Sequence, residues 1–271
     1  MSDLSGKRAL VTGASSGIGA AIARELAERG CDLVLTARRR DALQAVADEC
    51  KAVRVDVVAA DLGKPESGHV VWEAARASGP VDVLINNAGF GYFRPFAEVE
   101  WSRDVEMIQL NVTALVQLAR RFVDDRKDQP SWMLNVASIG AYQSVPNMAL
   151  YAASKAFVRN FSEALHDEHR GTPIAVTCLC PGGTRTPFHA AAGAGDYSWI
   201  ANASMKDADQ VARAGIAAML ANKRTVIPGA INKLSCFGVR LVPRRFASWL
   251  ASRVLGKPKL ALPARTTGAA S

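Results

Sequence analysis

Apolar positions along the chain fall into short continuous runs, separated by longer stretches with a helical period. The runs are "RALVTG" near Arg8, "CDLVLTA" from Cys31, "AVRVDVVAA" from Ala52, "VDVLINNAG" from Val81, "WMLNVAS" from Trp132, "IAVTCLC" from Ile174 and "RTVIPG" from Arg224. Most do not alternate with polar residues, so both faces of each strand are expected to be covered. Between the runs lie helical patterns such as "GIGAAIARELAERG" and "RRDALQAVADEC", the first stopped by Gly30. Strands alternating with helices predict an α/β fold with a doubly wound, parallel, seven-stranded sheet in a single domain.

Composition narrows the class. The chain has 271 residues, 49% hydrophobic and 21% charged, as in a soluble globular protein able to bury a large core. The five cysteines are scattered, with no Cys-x-x-Cys pair, and the four histidines lack ligand spacing. Buried free thiols, a reducing compartment and no metal site are expected. Cys178 and Cys180 are predicted to share one face of a strand. The N-terminus "MSDLSGKRAL" lacks the apolar core of a signal peptide, and no apolar run reaches the roughly 18 residues of a membrane span. A cytoplasmic protein is expected, with peripheral membrane contact left open. The formal charge of +8 fits nucleic acid, a phosphorylated cofactor, an acyl carrier or an anionic membrane.

Four segments carry chemistry. Thr12-Gly13-Ala-Ser15-Ser16-Gly17-Ile18-Gly19 follows the first strand and opens a helix. Its glycines allow a tight turn and close approach of a pyrophosphate, and the helix N-terminus favours that charge. The next strand ends in Ala37-Arg38-Arg39-Arg40, where an NAD site would carry Asp or Glu. Guanidinium groups there suit a 2′-phosphate, so the cofactor expected is NADP(H), with Arg38 first and Arg39 second. Asp61-Leu62 and Asn86-Asn87-Ala88-Gly89 close the third and fourth strands, on the edge where open sheets bind ligands. Alone, Asp61 could cap a helix near Pro65 and the Asn-Asn-Ala-Gly segment could be only a turn.

Thr12-Gly-x-x-x-Gly-x-Gly19, Asn86-Asn-Ala-Gly89, Asn111, Ser138 and Tyr151-x-x-x-Lys155 together resemble the short-chain dehydrogenase/reductase family. The resemblance runs from about Gly6 to Gly229. Pro181-Gly182, Thr184 and Thr186 match the family's cofactor-closing segment, although Thr184 stands where a branched apolar residue is usual. It implies a Rossmann-like dinucleotide-binding and catalytic domain over residues 1–230, with a substrate loop at about 183–205. A C-terminal extension follows over 231–271. It also implies a homodimer or homotetramer.

Hydride transfer to a ketone leaves an alkoxide that needs a proton. A phenol of pKa about 10 becomes a better acid beside an ammonium. Tyr151 and Lys155, four apart, share a helix face. The resemblance implies that Lys155 also holds the nicotinamide ribose, Ser138 binds the substrate carbonyl, and Asn111 orients a relay water. Read alone, Ser138 could cap a turn, Tyr151 could be a core aromatic, and Asn111 could make a purely structural hydrogen bond. Tyr142 lacks a Lys four places later and is assigned to the pocket wall.

The segment "GGTRTPFHAAAGAGDYSWIANAS" combines Gly193 and Gly195 with Phe188, Tyr197, Trp199 and Ile200. It resembles the family's substrate lid, with Phe188, Tyr197 and Trp199 as substrate contacts. A bulky, apolar carbonyl or its alcohol is the expected substrate, and the chain most resembles reductases acting on 3-oxoacyl or other long-chain ketones. After Pro243, "RRFASWLASRVL" puts Phe246, Trp249, Leu250 and Val254 on one helical face, opposite Arg244, Arg245, Ser248 and Ser252. Such a helix can lie on a membrane, cover an apolar pocket, form a subunit interface or pack on its own domain. "PARTTGAAS" is expected to be a disordered tail. No nucleic-acid motif appears. The rivals to an NADPH-dependent ketone reductase are an alcohol-oxidising dehydrogenase of the same kind and a non-enzymatic NADPH sensor.

Overall fold

A computed structural model describes residues 4–186, 192 and 205–255. Nine strands occur among them: β1 Arg8–Thr12, β2 Asp32–Ala37, β3 Val55–Ala59, β4 Val83–Asn86, β5 Ser131–Val136, β6 Ile174–Leu179, β7 Thr184–Arg185, β8 Lys206–Asp207 and β9 Thr225–Val226. Seven form one sheet in the order β3-β2-β1-β4-β5-β6-β9, and every neighbouring pair is parallel. The order reverses between β1 and β4, which opens a crevice at their carboxyl ends. β7 and β8 form a separate parallel pair.

The continuous apolar runs work because successive side chains face opposite layers. On one side Ala9, Val11, Leu33 and Leu35 meet α1 (Gly17–Glu28), α2 (Arg40–Glu49) and α7 (Ala208–Leu220). On the other, Leu10, Val34, Leu84, Met133 and Val176 meet α3 (Ser67–Arg76) and α5 (Ala114–Arg126). Phe161 of α6 (Ala149–Glu168) packs against that layer too. Phe122 is fully buried there with its ring edge-on to Trp72, a burial that contributes about 1.5–3 kcal/mol. α1 stops at Glu28 and Gly30 takes φ 77°, the left-handed turn expected of that glycine.

The five cysteines are free and buried, and Cys178 and Cys180 lie on one face of the chain with their sulfurs 3.6 Å apart. Burial pushes the Cys31 thiol up to about 12. Beyond β9, α8 (Ala230–Gly238) and α9 (Arg244–Leu255) follow. Ala247 and Ala251 are the buried positions of α9 among the described side chains, while Phe246, Trp249 and Leu250 are exposed. Among the described residues no helix is long and apolar enough to cross a membrane, and no cluster of His, Cys, Asp and Glu could hold a metal ion.

Candidate active site

The Gly-rich turn leaves β1 with Gly13 at φ 65° and enters α1 with Gly17 at φ 58°. A side chain at Gly13 would meet the Asn87 amide nitrogen at 2.8 Å, and one at Gly19 would meet the Gly13 carbonyl oxygen at 2.3 Å. Close backbone packing thus requires both glycines. Asn87 ties the turn to β4 by donating to the carbonyls of Thr12 (2.9 Å) and Gly13 (3.3 Å). The Asn87 and Ala88 N–H groups donate to Thr12 Oγ1 at 2.9 and 3.0 Å. Ser15 and Ile18 are half-buried and Ser16 is exposed. Ser16 caps α1 without a side-chain hydrogen bond, and the first turn holds no acidic residue. Uncapped N–H groups in an electropositive helix start suit a pyrophosphate.

Arg38 follows β2, and Arg39 is the exposed N-cap of α2. The Ala14 N–H donates to the Thr36 carbonyl at 3.2 Å, which brings this strand end beside the Gly-rich turn. The exposed Arg38 guanidinium reaches Glu106 at 3.4 Å, and Glu106 also pairs with Arg103. Glu106 abuts the turn after β3, where Asp61 accepts the Gly63 N–H at 3.0 Å. Asp61 therefore shapes this turn instead of capping α3. The Leu62 side chain is buried in the core, so this position offers a ligand only its backbone.

The second cluster sits between β4, β5 and α6. Lys155 is 5% exposed, and its ammonium donates to the Val136 carbonyl at 2.8 Å. It stands 5.9 Å from the centre of the Tyr151 ring. Burial lowers the Lys155 pKa from 10.5 to about 8. A side chain on Gly89 would meet Asn111 Oδ1 at 3.0 Å and Lys155 Nζ at 3.2 Å, which fixes the closeness of all three. α4 (Trp101–Ile108) runs into a π-helical turn, Gln109–Thr113, before α5 begins. Asn111 sits in that turn, fully buried. Its amide donates to the Phe90 carbonyl (2.9 Å) and Ser154 Oγ (3.0 Å), and its oxygen accepts the Phe90 N–H (3.1 Å). Ser154 donates onward to the Tyr151 carbonyl at 2.7 Å.

Ser138 follows β5 in extended backbone and accepts the Gly140 N–H at 3.1 Å. The next N–H, of Ile139, donates to the Pro181 carbonyl at 2.9 Å, so Ser138 lies beside the segment after β6. In that segment Thr184 donates to the Gly182 carbonyl and Thr186 to the Thr184 carbonyl. A side chain at Gly17 would meet Thr186 at 3.2 Å, so the segment closes over the Gly-rich turn.

The Tyr142 ring lies under the Arg159 guanidinium at 4.3 Å and packs against the cluster containing Val158, Cys178 and Cys180. Burial raises its pKa, with the Cys180 and Cys236 thiols adding to the effect. It braces α6 against β6. Phe188, Tyr197, Trp199 and Ile200 lie outside the described residues, as does the tail after residue 255. Ala192 is described, and its carbonyl accepts the Phe93 N–H at 2.8 Å.

Three positions escaped the sequence reading. Gly91 lies against the Tyr151 ring, where an added Cβ would be 2.5 Å from Cδ2. Ser154 joins Asn111 to Tyr151. Asn232 of α8 lies against Gly182, where a Cβ would meet its amide at 2.4–2.7 Å. Gly91 and Ser154 flank motif residues, a signal within reach; Asn232 had none.

Residues 7–196 match the family model described as short chain dehydrogenase. A hydroxynaphthalene reductase-like protein of Metarhizium brunneum is 32% identical over 243 residues, 86% of this chain and 88% of its own. A Sphingobium yanoikuyae short-chain dehydrogenase in complex with NADPH superposes with TM-score 0.76 at 30% identity, covering 87% of this chain and 94% of that one. The 3-ketoacyl-(acyl-carrier-protein) reductase of Brucella melitensis, complexed with NADH, gives TM-score 0.71 at 30% identity over 83% and 96%. Matched over most of its length by family model, relatives and solved structures alike, the chain belongs to the short-chain dehydrogenase/reductase family of oxidoreductases.

Proposed function

We propose that the protein is an NADPH-dependent reductase that converts a bulky, apolar ketone, of the 3-oxoacyl or a related long-chain type, to a secondary alcohol. The observation that carries this reading is the buried Lys155 ammonium between Tyr151, Asn111 and Gly89. The residues present fit the cofactor: the turn from Gly13 to Gly19 offers uncapped N–H groups, and a side chain at Gly13 or Gly19 would fill the cradle. Arg38, with Arg39 beside it, would hold the 2′-phosphate in exchange for the long contact to Glu106. Asp61, Leu62, Asn87, Ala88, Gly89, Pro181, Gly182, Thr184 and Thr186 would line the rest. The NADPH of the Sphingobium relative agrees with this assignment, and the NADH of the Brucella enzyme marks the preference as one to measure.

When bound, the dihydronicotinamide supplies a hydride to the carbonyl carbon. Ser138 Oγ would hold the carbonyl oxygen, and Tyr151 would give that oxygen its phenolic proton. Lys155 favours the resulting phenolate by its charge and would hold the ribose by its remaining donors. The π-turn at Asn111 positions a water for the proton's return, with Ser154 fixing the Asn111 amide. Run backwards, the same site oxidises an alcohol. The segment Phe90–Phe93 flanks the acid through Gly91 and adds apolar surface for the substrate. Buried thiols suit a reducing, cytoplasmic setting, and exposed Trp101, Val105 and Ile108 on α4 suit a homo-oligomer contact.

The test is a screen of 3-oxoacyl thioesters and aryl ketones with NADPH and NADH. Turnover with NADPH in preference to NADH is expected, and Tyr151→Phe should reduce it about 10²–10⁴-fold. Near-wild-type turnover by Tyr151→Phe would refute the mechanism. Tight NADPH binding with no turnover of any carbonyl or alcohol would indicate a sensor.

A further inference from the structure

The positive charge of this protein is concentrated at one end. Residues 231–271 hold eight Lys and Arg and no Asp or Glu, which equals the whole formal charge of +8. Residues 1–230 balance at 25 basic and 25 acidic side chains. Among its described residues the same extension exposes large apolar side chains. On α8, Ile231, Leu234 and Phe237 are exposed at three-residue spacing, and Leu241 follows at 72% exposure. On α9, Phe246, Trp249 and Leu250 share one exposed face, with the Phe246 and Trp249 ring centres 5.6 Å apart. Arg253 lies over the Trp249 ring at 5.4 Å.

An open cleft of roughly 460 Å³ runs along α9, lined by Arg244, Arg245, Ser248, Trp249 and Ser252 and by Ser144 and Pro146 of the loop before α6. Two arginines and three serines lining one cleft beside an indole suit a phosphodiester whose acyl chains lie against the apolar face. A second copy of the chain is a poor occupant, because two acid-free basic faces repel. We propose that α8 and α9 form a docking surface for a bilayer containing anionic phospholipid. Exposed aromatic and aliphatic side chains enter the headgroup boundary, and Arg240, Arg244 and Arg245 engage the phosphates. Docking would set the loop that leads into α6, and so into Tyr151, beside the membrane. The surface does not depend on which carbonyl the site reduces.

The experiment is co-sedimentation of the full chain with phosphatidylcholine vesicles, with and without phosphatidylglycerol. Binding is expected only with phosphatidylglycerol and should weaken as salt rises. Arg244→Gln with Arg245→Gln should lower partitioning about 25-fold, at about fivefold per charge. Trp249→Ala should lower it without changing the salt dependence. NADPH binding and turnover of a water-soluble ketone, measured on the same variants, should stay at wild-type level, which separates failure of docking from misfolding and from failure of the catalytic reading. Three results would overturn the proposal: no sedimentation with either vesicle, equal sedimentation with both, or equal partitioning by the Arg variant and the wild type. Self-association in place of vesicle binding, lost in Trp249→Ala and seen by light scattering, would assign the face to a second copy.

Discussion

Lys155 shows how a single buried charge is held at a cost. Its pKa falls to about 8 because burial disfavours the ammonium, while the unfolded chain keeps 10.5. Below about pH 8 both states are protonated and the folded one carries the full desolvation cost. Between about 8 and 10.5 the unfolded state binds more protons, so this group makes stability rise with pH across that window. Lys155→Met should therefore stabilise the free protein near neutral pH by about 2 kcal/mol, after allowing for the lost bond to Val136. Thermal melts should show the gap to wild type closing as pH climbs past 8, with the variant inactive throughout. A gap independent of pH would mean that the ammonium is not desolvated. Gly91 makes the complementary point about space. A methyl there would press on Cδ2, Cγ and Cβ of Tyr151, the inner atoms of the side chain, so the ring cannot simply swing clear. Gly91→Ala should cut kcat by about 10–100-fold with NADPH affinity unchanged, a split that steady-state kinetics and calorimetry can read.

Elements differ in how much of them the sequence discloses. The strands were legible because a parallel strand buried on both faces is mostly apolar without alternation, as "DLVLTA" and "IAVTCL" are. The last strand was overdrawn: of "RTVIPG" only Thr225 and Val226 pair, with Cys178 and Leu179, before Pro228 and Gly229 intervene. The motif residues were legible as a set, because chain order and spacing carry them. The π-turn was not. Nothing in "QLNVT" breaks a helix, and the extra residue is accommodated by a tertiary clasp, Asn111 on both polar groups of Phe90. The packing of Tyr142 was not legible for a similar reason. Its neighbours Arg159, Cys180 and Cys236 are far apart in sequence, so no local pattern says which way the ring turns. On α9 the amphipathic pattern was visible, but small alanines chose the buried face.

A charge-balanced α/β body joins a basic extension, and α8 buries Asn232 and Cys236 against that body. Asn232 of α8 is buried, donates to the Pro228 carbonyl at 2.9 Å, and fills the space beside Gly182. Gly182 belongs to the segment that continues through Thr184 to Thr186, which faces Gly17 of the proposed pyrophosphate turn. α8 thus braces the cofactor side, whereas the described residues after Gly238 bury only Ala247 and Ala251. The two halves of the extension should separate under mutation. A chain ending at Gly238 should keep its fold and bind NADPH within about twofold of the intact protein, since little packed surface is lost. Asn232→Ala, in the full chain, removes a buried hydrogen bond and leaves a gap at Gly182, so NADPH should bind about tenfold more weakly. Calorimetric titration of both variants decides the matter. If the truncation loses the cofactor while Asn232→Ala retains it, α9 and not α8 supports the closing segment, and the extension acts on the site through the loop at Ser144 and Pro146.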